Sequence, residues 1–275
     1  MSEWRTAEAP AKLNLALVVG PLRPDGKHEV ATVLERLSLS DTVAVRRAEA
    51  TSVAGFEDDT LVRGALDAIS RIDAGEPRFE ARIEKRIPVA AGLGGGSSDA
   101  AAALLLANGL LDAPLEADRL HRAAASLGAD VPFFLRDGAQ LATGDGTTLT
   151  SVELPRDYVV LLALPHGVTK RSTAGVYAAF DTRSGERGFE DRRAELLRAV
   201  GEVRGARGLG SLPRNDLAAS PIADDLAALG AFRADVTGAG PVVYGLFMQR
   251  SEAERAARQL RSFGRTWVTV PGWYG

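Results

Sequence analysis

The sequence predicts an α+β fold, and three observations carry the prediction. Strand-type alternation recurs along the chain among segments of helical period, without the regular strand–helix–strand order of a doubly wound sheet. A glycine-rich turn, Ala91-Gly-Leu-Gly-Gly-Gly-Ser-Ser-Asp99, runs directly into an Ala/Leu helix. The 275 residues, 45% of them apolar, suffice for one large domain or two ordinary ones. Gly144-Asp-Gly146 and Pro155 punctuate residues 145–157, which sets the expected division there, into domains 1–152 and 153–275.

Residues 9–20 read as a strand, with Leu13, Leu15 and Leu17 on one face and Lys12 and Asn14 on the other. Pro21 to Gly26 is a turn-rich loop, and residues 30–47 hold two more apolar–polar runs, predicted as further strands. A helix over 60–70 is opened by Asp58-Asp59. Phe79, Ala81 and Ile83 alternate with charged residues, giving a half-exposed strand over 78–85 that ends at Pro88. The glycine loop then leads into a helix over 99–111, and a second helix spans 116–127. Residues 131–135 and 139–143 read as short extended segments. The continuous apolar run 158–164 predicts a strand, with helices near 172–180, 190–204 and 222–229. Strands over 233–236 and 242–247 are joined by Thr237-Gly-Ala-Gly-Pro241, and an amphipathic helix over 251–263 precedes a last strand, 266–270.

Composition excludes several functions. Lys plus Arg is 33 against 36 Asp plus Glu, a net charge of −3, so the basic footprint of sequence-independent nucleic-acid binding is missing. With no Cys there is no disulfide, thiolate nucleophile or Cys-ligated metal. The longest apolar run, Ala100 to Ala107, falls far short of the ~20 residues that span a bilayer. Met1-Ser-Glu-Trp-Arg5 has no signal-peptide hydrophobic region. The expectation is a cytoplasmic protein that binds neither nucleic acid nor membrane. Only four residues are Lys and three Asn, as GC-rich coding would give, so Lys12 and Asn14 gain weight as functional candidates.

Pro88 to Asp99 is the most informative segment. A glycine turn entering a helix lines up free backbone N–H groups with the positive end of the helix dipole, a ready site for phosphate. Gly92, Gly94, Gly95 and Gly96 let the backbone approach an anion, and Ser97 and Ser98 add hydroxyl donors or a ligand for Mg²⁺. Asp99 would repel phosphate and reads instead as a helix cap or as a group orienting a neighbour. The loop is neither a Walker A nor a Rossmann fingerprint: Gly20 to His28 has the wrong spacing, and Ser97 stands where a third glycine belongs. A loop packed tightly for structural reasons is the alternative, weakened by four glycines in five positions followed by two serines.

Pro88-x-x-x-Gly-Leu-Gly94, followed by small residues and Ser98, resembles the phosphate loop of the GHMP kinases. Three further blocks are similar to one subgroup of that family, in the same order. They are Pro10-Ala-Lys-Leu-Asn-Leu15, continued by Arg23-Pro-Asp-Gly-Lys-His-Glu29; Leu127-Gly-Ala-Asp-Val-Pro-Phe-Phe134; and Thr237-Gly-Ala-Gly-Pro241. The resemblance implies a two-domain α+β kinase with its active site in the cleft between domains. The implied reaction moves the γ-phosphoryl of ATP to a hydroxyl of a cytidine diphosphate-linked polyol, in an isoprenoid-precursor pathway.

The resemblance also assigns residues. Lys12 and Asp130 become the catalytic pair. Asp130 suits the proton acceptor and Lys12 the stabiliser of developing charge. Pro88, Val89, Ala90, Ala91, Gly92, Leu93, Gly94, Gly95, Gly96, Ser97 and Ser98 would hold ATP, with Mg²⁺ as its counter-ion. Asn14, Lys27, His28, Gly238 and Gly240 would bind substrate. One departure stands out: the family has an aromatic ring for the cytosine base where this chain has Lys27. Lys27 would contact the diphosphate instead, or another aromatic residue, Tyr177 or Phe180, would replace the ring. Asn215-Asp-Leu217 resembles a family segment and equally reads as a helix N-cap.

Overall fold

The computed structural model describes residues 3–56, 59–72, 75–168 and 172–272. The chain gathers into two compact units that interleave in sequence. One holds Met1–Ala11, Leu39–Val89 and Gly94–Asp137; the other holds Lys12–Ser38, Ala90–Leu93 and Gly138–Gly275. The interleaving arises because two long strands, β1 (Arg5–Leu22) and β2 (His28–Ala48), each lend residues to both units. The two runs expected over 30–47 are therefore one strand of 21 residues.

In the first unit, the later half of β2 pairs antiparallel with β4 (Arg78–Glu84), from Thr42↔Glu84 to Ala48↔Arg78, and the short β3 (Ser52–Ala54) joins β4 in parallel. Phe79, Ala81 and Ile83 are buried and their neighbours more exposed, as the alternation predicts. Helix α1 (Thr60–Ile72) buries Val62, Ala65, Leu66 and Ile69, a single stripe at helical spacing, and packs on α2 (Gly95–Gly109). Asp59 caps α1 by accepting from Val62 N at 2.8 Å; Asp58 lies outside the described residues. After α3 (Ala117–Leu127), residues Pro132–Leu135 form a 3-10 helix and not the expected extended segment. Pro132 explains the difference, since its fixed φ suits a first helical position.

In the second unit, the earlier half of β2 pairs with β5 (Ala139–Gly144), from Val30↔Gly144 to Leu34↔Gln140, and β5 turns back into β6 (Thr148–Val152). Strand β6 lies inside 145–157, the segment that the sequence marks as the expected division. A second, all-antiparallel sheet has the order β10–β7–β9–β8, built from β7 (Val159–Pro165), β8 (Arg233–Val236), β9 (Val243–Phe247) and β10 (Gly264–Thr269). Helices α6 (Pro221–Ala228) and α7 (Arg250–Gln259) cover it over a core of Leu161, Leu226, Val243, Phe247 and Ala253. Helices α4 (Thr173–Thr182) and α5 (Phe189–Glu202) precede them. The architecture is α+β, as predicted. Residues 11–20 of β1 are buried on both faces, so Lys12 and Asn14 lie inside and not on a wet face.

Candidate active site

Strand periodicity puts Lys12 and Asn14 on one face of β1, and four polar side chains of the second unit meet there. Lys12 Nζ donates to Asn14 Oδ1 at 2.6 Å, and Asn14 Nδ2 donates to Thr32 Oγ1 on β2 at 2.9 Å. Thr32 Oγ1 donates to Ala16 O at 2.6 Å, while Thr237 Oγ1 accepts from Asn14 N at 3.0 Å. Lys12 is only 4% exposed, and a buried ammonium is tenable only among acceptors.

Two glycine loops approach this cluster. Gly92 has φ +84°, and a Cβ there would stand 2.8 Å from Gly240 O and 2.9 Å from Thr237 O. Only glycine permits that approach, so Gly92 serves loop-to-loop packing, a use that anion binding alone did not suggest. Val242 N donates to Ala91 O at 3.3 Å and Lys12 N to Leu93 O at 2.9 Å. A Cβ on Gly238 would lie 3.3 Å from Asn14 Oδ1 and 3.5 Å from Lys12 Nζ. Asn215 is not a helix cap: Ser220 caps α6, while Asn215 Nδ2 donates to Val236 O and Gly238 O at 2.9 and 2.7 Å. It thereby pins the 237–241 loop.

The expected substrate residues Lys27 and His28 also lie in this unit. His28 Nε2 is 2.7 Å from Asp181 Oδ1, and the Tyr177 ring lies 4.8 Å from the imidazole centroid, tilted by 30°. Phe180, the other aromatic candidate, is 1% exposed and meets His28 edge-on at 6.0 Å, as a core residue beside Val176. Lys27 Nζ is bound to Asp145 Oδ2 at 2.6 Å, in the β5–β6 turn. Burial alone would raise the Asp145 pKa, but Lys27 and the Thr147 hydroxyl and amide outweigh it and hold the value at about 2. Asp145 and Asp181 escaped the sequence reading. Their only signals were a Gly-Asp-Gly turn and a spacing of four from Tyr177.

The remaining predicted residues, Ala90 apart, belong to the first unit. Gly94, with φ +71°, is the N-cap of α2, so the helix starts at Gly95 and takes in Gly96, Ser97 and Ser98, four residues earlier than expected. This aims the first-turn amides out of the helix end, the arrangement that anions favour. Ser98 is 1% exposed and its Oγ has no hydrogen-bond partner among the described residues, an orphaned polar atom suited to an oxygen-rich ligand. Asp99 does not cap the helix; its carboxylate is buried and takes a hydrogen bond from Lys85 Nζ at 2.6 Å. Burial outweighs Lys85 and raises the Asp99 pKa to about 7. Val89 and Ala90 are exposed. Asp130 is half-buried in the turn between α3 and the 3-10 helix. Among the described residues, no helix is long and apolar enough to cross a membrane.

Two family models match the chain: GHMP kinases N terminal domain over residues 60–138, and GHMP kinases C terminal over 218–266. A 4-diphosphocytidyl-2-C-methyl-D-erythritol kinase of Geobacter sulfurreducens is 35% identical, covering 96% of this chain and 97% of its own. One of the same name from Pelobacter propionicus is 36% identical, over 98% and 96%. A crystal structure of 4-(cytidine 5'-diphospho)-2C-methyl-D-erythritol kinase matches with TM-score 0.78 at 31% identity, covering 98% of this chain and all of that one. The Methanococcus jannaschii mevalonate kinase matches with TM-score 0.73 at 12% identity over 98% and 99%, a likeness of fold.

Proposed function

The chain belongs to the GHMP kinase family, and from that premise we propose that it transfers the γ-phosphoryl group of ATP to the 2-hydroxyl of 4-diphosphocytidyl-2-C-methyl-D-erythritol, in the non-mevalonate route to isoprenoid precursors. The observation that carries the reading is likeness over nearly the full chain to relatives of that name.

Asp130 accepts the proton of the substrate hydroxyl, whose oxygen attacks the γ-phosphorus as the bond to the ADP oxygen breaks. Such a transfer asks mainly for positioning and charge stabilisation. Lys12, oriented by Asn14, stabilises the charge that develops on the phosphoryl oxygens. The amides of Gly94–Ser97 and the Pro88–Leu93 segment hold the nucleotide phosphates, the Ser98 amide being taken by Gly94 O at 2.9 Å. The orphaned Ser98 Oγ fits an oxygen-liganded Mg²⁺. That ion, when bound with ATP, would offset phosphate charge. Gly238 and Gly240 present backbone to the substrate.

His28, fixed by Asp181, reads the base edge, and Tyr177 supplies the ring that position 27 lacks. In this reading, residues 1–152 carry the nucleotide and the catalytic pair, and residues 153–275 complete the base and substrate contacts. Lys27 favours a second reading, a GHMP-type kinase for another small polyol or sugar derivative. ADP release with Mg²⁺ and ATP decides between them, using the cytidine compound and the same polyol phosphate without cytidine. Turnover with the cytidine compound alone supports the first reading; turnover with neither sinks it.

A further inference from the structure

We propose that the part-buried Lys85–Asp99 contact is a positioning device for the nucleotide, tying together the two stems of the glycine loop. Lys85 stands just beyond the end of β4, on the stem that enters the loop, and Asp99 stands in α2, on the stem that leaves it. Lys85 Nζ donates to Asp99 Oδ2 at 2.6 Å and also to Asp41 Oδ2. Asp41, on β2, is fully buried, and its other oxygen accepts from Arg86 N and from Ile87 N at 2.7 Å. The strand end at 85–87 is thus anchored to the same buried cluster that holds α2. Gly95, the first residue of α2, lies directly on it. A Cβ there would stand 3.3 Å from Lys85 Nζ and 3.4 Å from Asp41 Oδ2.

Buried ion pairs lose much of their attraction to desolvation, and apolar residues of similar volume would hold strand to helix at least as well. What the pair adds is a fixed distance and direction. That matters for the α2 amides, because misplacing a reacting or binding group by about 1 Å can cost 10²-fold in rate. The pair touches neither nucleotide nor substrate in this scheme; it acts through the loop. The inference rests on the kinase reading given above.

The test uses the full chain and measures ATP KM, polyol KM, kcat and Tm for two variants. Asp99→Ala cuts the link between the stems while leaving Lys85 paired with Asp41, so no carboxylate is stranded. Asp99→Asn keeps an acceptor for Lys85. Asp99→Ala should raise ATP KM about tenfold, with polyol KM and kcat at saturating ATP within about twofold of wild type. Asp99→Asn should restore ATP KM. Unchanged ATP KM in Asp99→Ala, or both KM values rising together, overturns the proposal. Should Asp99→Ala fail to fold, Asp99→Leu, which fills the volume without an acceptor for Lys85, is compared with wild type by binding of a fluorescent ATP analogue well below its Tm. Binding about tenfold weaker than wild type supports the pair, and equal binding overturns it. A wild type that binds no nucleotide sinks the kinase reading and this proposal together, whereas equal binding by wild type and Asp99→Ala sinks this proposal alone.

Discussion

Asn14 turns its amide oxygen toward Lys12 Nζ, 2.6 Å away, because its amide nitrogen is committed to Thr32 Oγ1 at 2.9 Å. Thr32 can accept there since its own proton goes to Ala16 O. The relay fixes which end of Asn14 faces the lysine. Asn14→Asp keeps the shape but places a carboxylate against Lys12 and loses the donor to Thr32. The added negative charge opposes an incoming phosphoryl group and neutralises the cation meant for it. The expected outcome is a fall in kcat of about 100-fold, with Tm unchanged or raised. Steady-state kinetics beside a thermal melt checks this, and a kcat within threefold of wild type removes Asn14 from the site.

Asp130→Asn tests the proton acceptor. The amide keeps size and polarity but cannot take the hydroxyl proton, and it leaves the phosphate-binding amides of α2 untouched. Turnover should drop by 10² or more, the usual scale of a lost general base, while ATP affinity holds within about twofold. Substantial residual turnover would assign the proton elsewhere.

Tyr177 is half-buried against His28, whereas Phe180 is committed to the core. If Tyr177 is the ring that replaces the one missing at Lys27, Tyr177→Ala should raise the KM for the cytidine substrate about 5- to 150-fold, since base stacking is worth roughly 1–3 kcal/mol. Tyr177→Phe should behave as wild type, because stacking needs the face and not the hydroxyl. Activity on the polyol phosphate without cytidine should not respond to either change. An unaltered KM in a folded Tyr177→Ala protein rules out the stacking role.

Local chemistry made much of this legible. Strand β8 and the helices α1 and α3 lie within about two residues of their predicted bounds, because their apolar spacing is strong. The motif blocks single out Lys12, Asn14 and Gly238, and the structure gathers these three in one cluster. The failures have specific causes. Helix α2 starts early because Gly94 adopts a left-handed cap and glycine's poor helix propensity is overridden by packing on α1. Pro132 turns an apolar run that reads as strand into a 3-10 helix. No local pattern at Asp181, Asp145 or Thr32 names its partner, because the partners lie 153, 118 and 18 residues away.

Glu35 gives a prediction that is independent of the active site. It is fully buried in β2; Arg36 N donates to Oε1 at 3.1 Å, and Oε2 has no hydrogen-bond partner among the described residues. Burial raises its pKa from the ordinary 4.5 to about 7, against the opposing charges of Arg156 and Arg36. The folded protein therefore keeps a proton that the unfolded chain releases between these two values. The stabilising effect of that proton is complete below about pH 4.5 and is lost as pH rises through 7. Glu35→Gln imitates the protonated acid at every pH. Relative to wild type it should be nearly neutral at pH 4.5 and more stable by about 3 kcal/mol at pH 8, the free-energy equivalent of the shift. Denaturant unfolding of both proteins at the two pH values measures this. A stability difference that stays constant with pH would show that Glu35 ionises in the folded protein as readily as in water, with Arg156 offsetting its burial in full.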